Sequence, residues 1–155
     1  MEVGGSSPPP PTMLKEARME VEHKDEAYRV LEKAKVVAVV GISPKRERPS
    51  YYVTERVIRK GKHRVYLINP KYAGERILGI EVLPSLKEVP EKVDIVNVFR
   101  NPAHVESVVK EALEIGAEVV WLQPGAENYE VIEKYGDRIK FVYEACIGVE
   151  AGYLD

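Results

Sequence analysis

Val36-Val37-Ala38-Val39-Val40-Gly41-Ile42-Ser43-Pro44-Lys45-Arg46-Glu47-Arg48-Pro49-Ser50 is the stretch whose reading decides the fold. A continuous apolar run closed by glycine reads as a strand buried on both faces, as in a parallel sheet covered by helices. After the loop 42–50, residues 51–60 carry Val53, Val57 and Ile58 on one helical face, with Gly61 as the stop. Strand, loop and helix in that order form the first half of a βαβ unit.

The same rhythm continues outward. Val65–Ile68 reads as a strand ending in Asn69-Pro70, and 71–80 as a loop with Gly74 and Gly79. Ile80–Leu83 reads as a short strand, Ser85–Glu88 as a helical turn and Val93–Phe99 as a strand. Residues 103–115 hold the helical stripe Val105, Val108, Val109, Ala112 and Leu113, stopped by Gly116. Val119–Leu122 is expected to be a strand, Glu127–Tyr135 a helix and Ile139–Val142 the last strand. Upstream, Ala27, Val30, Leu31 and Ala34 recur at helical spacing and predict a helix from about Asp25 to Lys35. Alternation of this kind predicts an α/β fold: a doubly wound, mostly parallel, Rossmann-like sheet in three layers, α/β/α. Residues 1–12, MEVGGSSPPPPT, are expected to be a disordered tail, leaving 13–155 as a single domain.

Composition narrows the function. The 155 residues carry 23 Lys and Arg against 25 Asp and Glu, so a general nucleic-acid binder is disfavoured. Cys146 is the only cysteine, which excludes an intrachain disulfide and a cysteine-based zinc site. No apolar run approaches the roughly 18–20 residues a membrane helix needs, and no signal peptide is evident, so the expected compartment is the cytoplasm. Among the acidic residues 21 are Glu and 4 are Asp, with a single Gln, a thermophile-like composition.

Ligands of a doubly wound sheet bind beyond the carboxyl ends of the strands, at the switch point. That directs attention to loops 41–50, 69–76, 99–102, 123–126 and 143–150. The first has the position of a dinucleotide-binding loop, yet only Gly41 of a G-x-G-x-x-G pattern is present, and no Gly-Lys-Ser/Thr occurs. Lys45, Arg46 and Arg48 instead make it basic, and Ser50 stands where it could cap the following helix. Free N–H groups and the positive end of a helix suit a phosphate; a solvated basic loop is the alternative. The second strand ends in Asn69-Pro70-Lys71 rather than the acid that binds an NAD ribose. This suits a phosphorylated ribose, as in NADP or coenzyme A, or is simply an Asn-Pro turn.

The block Val39–Ser50, together with Ile68-Asn69-Pro70-Lys71, Val93-Asp94-Ile95-Val96-Asn97-Val98-Phe99-Arg100, Val120-Trp121-Leu122-Gln123 and Cys146-Ile147, resembles the small stand-alone CoA-binding domain proteins, over about residues 25–150. The fold also resembles the CoA-binding domain of the succinyl-CoA synthetase alpha subunit. The resemblance implies coenzyme A as ligand. Gly41, Ser43, Arg48, Pro49 and Ser50 would bind its pyrophosphate. Asn69, Pro70 and Lys71, with Arg46, would hold the adenosine end and 3′-phosphate. Phe99 and Arg100 would flank the pantetheine arm, and Gln123 and Cys146 would lie towards the thiol. Ala145 and Gly148 depart from the family pattern, where bulkier or charged residues are usual.

A non-catalytic CoA or acyl-CoA binding protein is therefore the first expectation. The alternatives are a subunit of an acyl-CoA ligase, an NADP-dependent reductase, or an interaction protein that has lost the ligand. His23 and His63 read as surface residues and His104 as a helix start near the carboxyl edge. Asp94 and Asn97 read as satisfied polar groups within a strand, and Trp121 as core or pocket wall. Cys146 is either a small buried apolar residue or a thiol facing the end of the pantetheine arm.

Overall fold

A computed structural model describes residues 25–155. The tail expected at 1–12, the start of the domain at 13–24 and His23 lie outside the described residues.

Residues 25–33 form helix α1. It is followed by β1 (Val36–Val40), α2 (Pro49–Lys60), β2 (Arg64–Ile68), β3 (Arg76–Ile77), β4 (Ile80–Leu83), β5 (Ile95–Val98), α3 (Val105–Glu114), β6 (Val119–Leu122), α4 (Tyr129–Tyr135), β7 (Lys140–Tyr143) and α5 (Ile147–Gly152). Short 3-10 turns occupy Pro70–Tyr72, Leu86–Glu88 and Pro102–His104. The sheet runs β3-β4-β2-β1-β5-β6-β7. Every pairing is parallel except β3 with β4. The chain moves one way from β1 through β2 to β4, then returns to β5 on the other side. The switch point lies between β1 and β5.

All five residues of β1 are buried, because alternate side chains enter opposite layers. Val37 and Val39 join Ala27 and Leu31 of α1, Val53 and Val57 of α2, and Ile147 and Ala151 of α5. Val36, Ala38 and Val40 join Val105, Val109 and Ala112 of α3 and Val131 of α4. The three-layer α/β/α arrangement follows. Asp94 stands just before β5, and its carboxylate accepts from the backbone N–H groups of Lys35 and Val36 at 2.8 and 2.9 Å. It thereby pins the chain at the entry to β1.

Several sequence expectations change. Residues 71–80, read as a loop, contain β3, which forms a hairpin with the expected strand Ile80–Leu83, and 143–150 contain the start of α5. His63 is not a free surface residue: it is half-buried, and its Nε2 lies 2.8 Å from the Leu31 carbonyl, an acceptor, so this nitrogen donates. Asn97 is fully buried in β5, between Val39 and Trp121 in register, and neither end of its amide has a hydrogen-bond partner in the protein. The expectation of a satisfied Asn97 is therefore corrected. Its strand supplies only backbone ladder partners, and its neighbours on that face are apolar. Trp121 is core, with Nε1–H donating to the Ala145 carbonyl at 2.9 Å. Among the described residues no helix is long and apolar enough to cross a membrane.

Candidate functional site

The carboxyl ends of β1, β2, β5 and β6 open into one cleft of about 670 Å³. It begins at Gly41, where φ is +96°. A Cβ there would overlap the Phe99 carbonyl oxygen, so only glycine lets β1 turn out of the sheet against β5. Beyond it the loop is braced by its own serines. The Ser43 N–H donates to Ser50 Oγ at 3.0 Å, and the Lys45 N–H to Ser43 Oγ at 3.2 Å. Each hydroxyl oxygen accepts from the backbone and keeps its proton for an incoming acceptor.

Ser50 is not the cap of α2. Arg48 holds the N-cap position without a side-chain cap, and Pro49 starts the helix with its fixed φ. No acidic side chain occupies the first turn. The positive end of α2 therefore reaches the cleft without a carboxylate neutralising it from its own first turn.

Asn69 works within the protein at both ends. Oδ1 accepts from the Lys71 N–H at 3.0 Å, and Nδ2 donates to the Ile42 carbonyl at 2.8 Å. It is thus the turn residue that fastens the second loop to the first, leaving Lys71 exposed, with Nζ 5.4 Å from the Tyr72 ring centre. The other wall is fastened similarly. Asn128 Nδ2 donates to the Pro102 carbonyl at 2.9 Å, and Glu127 accepts from the Gly125 N–H at 2.8 Å.

Gly41, Ser43, Arg48, Pro49, Ser50, Asn69, Lys71, Phe99, Arg100 and Gln123 all line this cleft. Arg46, Pro70 and Cys146 do not. Arg46 and Pro70 are exposed beside it. Cys146 lines a separate hollow with Tyr28, Val149 and Tyr153, reached under α1. Gln123 stands between the two. It is almost fully buried, its Oε1 accepts from the Ile147 N–H at 2.8 Å, and its Nε2 lies 3.5 Å from Cys146 Sγ. Loop 143–150 is therefore not part of the cleft wall, because α5 folds back onto α2 instead.

The lining also includes Lys45, Tyr72, Asn101, Pro102 and Gly125. Tyr72, Asn101, Pro102 and Gly125 fall in loops that the carboxyl-edge rule marks, but no motif singles them out. Lys45, Arg48, Lys71 and Arg100 supply four cations, and no carboxylate, imidazole or thiol is present in the lining. His104 is exposed at the start of α3, outside it. Such a wall has the charge and donors to neutralise and hydrogen-bond an extended anion. Its titratable side chains are the two lysines, the two arginines and Tyr72.

The model of the CoA binding domain family matches residues 35–152. The chain belongs to that family. YneT of Bacillus subtilis (strain 168) is 33% identical over 129 residues, covering 81% of this chain and 92% of the relative. A solved structure of a protein from Pyrococcus horikoshii OT3 superposes with a TM-score of 0.77 at 33% identity, over 84% of this chain and 90% of the other. The ADP-forming acetate–CoA ligase I of Archaeoglobus fulgidus is also 33% identical over 129 residues, which are 74% of this chain but only 18% of the ligase. This CoA-binding domain thus spans a small part of that ligase and nearly all of YneT.

Proposed function

We propose that the chain binds coenzyme A or an acyl-CoA in this cleft and performs no chemistry of its own. One observation carries the reading: four cations and no carboxylate line a cleft at the switch point of a CoA-binding domain. Coenzyme A brings about four negative charges near neutral pH, on a diphosphate and a monoester phosphate. The Arg48-Pro49-Ser50 turn at the start of α2, with the Ser43 and Ser50 hydroxyls, suits the pyrophosphate. Because Asn69 is consumed within the protein, discrimination of the 3′-phosphate falls to Lys71, with Arg46 and Pro70 beside the cleft. Phe99 and Arg100 flank the path of the pantetheine arm. Gln123 lies at its far end, between the thiol and Cys146.

A second reading has one observation in its favour. The match to a ligase of which this domain is only a small part supports a role as subunit of an acyl-CoA ligase. In that case the same cleft presents the thiol to chemistry carried by another chain.

A thermal-shift panel of CoA, acetyl-CoA and NADP tests the ligand. A ligand at a hundredfold over its Kd adds about 2.7 kcal/mol, or about 5–10 °C in Tm for a chain this long. CoA or acetyl-CoA is expected to give that rise. A rise with NADP alone would point to the reductase, and no response to any of them would indicate a fold that has lost its ligand.

A further inference from the structure

The outer face formed by α2 and α5 fits a second copy of this chain. Tyr52 on α2, Val149 on α5 and Tyr153 just after α5 are 41%, 46% and 67% exposed, three of the four exposed large apolar residues among the described residues. The two helices are tightly joined beneath them. A Cβ on Gly148 would lie 3.0 Å from Val53 Cγ1 and 3.5 Å from Arg56 Cδ, so α5 rests directly on α2. Val149, the next residue, faces outward beside that contact and also lines the hollow of about 530 Å³ that holds Tyr28 and Tyr153. Exposed apolar side chains gathered around a hollow beside two packed helices mark a candidate association site.

Charge decides the occupant. Along α2 the exposed row Tyr52, Arg56, Arg59 recurs at i, i+4 and i+7, basic away from the cleft. On the α5 side the hollow is rimmed by exposed Asp25 and Glu144; Glu144 also accepts from the Tyr129 hydroxyl at 3.0 Å, and on the α2 side Glu55 lies 3.4 Å from Arg59. The face is therefore basic on one flank, apolar in the middle and acidic on the other. In a two-fold interface each patch meets itself reversed, so residue i of one copy faces residue j of the other. A basic flank opposite an acidic one is the arrangement that this operation makes complementary. The geometry points to a symmetric dimer with Val149 near the axis and Arg56 and Arg59 of each copy facing Asp25 and Glu144 of the other.

Sedimentation velocity on the full chain tests this, using the wild type, Val149→Glu, an Arg56→Glu/Arg59→Glu double variant and an Asp25→Lys/Glu144→Lys double variant. The wild type is expected to sediment at twice the chain mass. Val149→Glu and each double variant alone should fall to one chain mass, with cooperative thermal unfolding retained. An equimolar mixture of the two double variants should recover the dimer. A wild type that stays monomeric at every concentration overturns the proposal. So does a dimer that survives Val149→Glu and both charge reversals, since the contact would then lie elsewhere.

Discussion

Lys71 and Asn97 show how much depends on single side chains. With both ends of Asn69 occupied, Lys71 is the cation left at the end of β2 for a phosphorylated ribose. A charged hydrogen bond contributes about 1.5–3 kcal/mol, so CoA should bind about tenfold to a hundredfold more tightly than dephospho-CoA. Lys71→Ala should erase most of that difference, and equal calorimetric affinities for the two ligands on the wild type would contradict the assignment. Asn97 makes the opposite kind of prediction. Its buried amide has no partner in the protein, and it sits in a strand between Val39 and Trp121. Asn97→Val removes an unsatisfied polar group and adds a β-branched side chain, and is expected to stabilise by about 1 kcal/mol, or about 2–4 °C in Tm. A lowered Tm would show that the amide has a role the static contacts do not reveal. The asparagine is plain in the sequence, but its lack of a partner is not. Partnership depends on what the neighbouring strands and α2 place around it, which no local pattern encodes.

The elements were legible where periodicity is strong and hidden where it is short. The run Val36–Val40 and the stripe of α3 announce themselves, since each has enough residues to repeat its period. Strand β3 and its turn into β4 do not. Each side of the hairpin pairs through only two residues, and its turn uses Leu78 and Gly79 at φ of +53° and +78°. A primed turn normally shows Asn-Gly or Asp-Gly, and a leucine in the first left-handed position conceals it. Helix α5 is hidden for another reason. It has six residues including Gly148 and Gly152, so low intrinsic propensity outweighs the single i, i+4 pair Ile147 and Ala151. Its helicity comes from packing on α2, where a Cβ on Gly148 would press against Val53 Cγ1 at 3.0 Å. Loop 143–150 was accordingly expected at the cleft, whereas four other marked loops form its walls.

Between elements, Glu91 fastens the loop before β5 to the start of β2. Arg64 and the Tyr66 hydroxyl both donate to its carboxylate, chiefly Arg64, and together hold its pKa at about 2 instead of the ordinary 4.5. A depressed carboxylate stabilises the fold above its unfolded pKa, and the contribution is lost as pH falls through the folded value. Glu91→Gln should therefore be less stable than the wild type in urea at neutral pH, with the gap closing between pH 4.5 and about 2. A gap independent of pH over that window would mean that packing rather than charge is responsible. Gly41 acts on the same scale, as the hinge between β1 and its loop. Gly41→Ala drives a Cβ into the Phe99 carbonyl at a φ of +96°, and should lower both Tm and ligand affinity. Unchanged affinity in a folded Gly41→Ala protein would show that the cleft does not depend on this junction.

At the scale of the molecule, a chain of slight net negative charge lines one cleft at the sheet edge with four cations and no carboxylate. Whole-chain charge concealed this, and only the alternation of strands and helices showed which loops would meet. Their meeting point follows from the strand order, with β1 and β5 diverging at the switch point. The central claim is that this edge exists to hold coenzyme A. Isothermal titration calorimetry of the wild-type chain with CoA, in parallel with NADPH, tests it most directly. The expected result is saturable binding of one CoA per chain that weakens steeply as salt screens the cleft, weakens again in Arg48→Glu, and has no counterpart with NADPH. Saturable NADPH binding with no heat from CoA would contradict it.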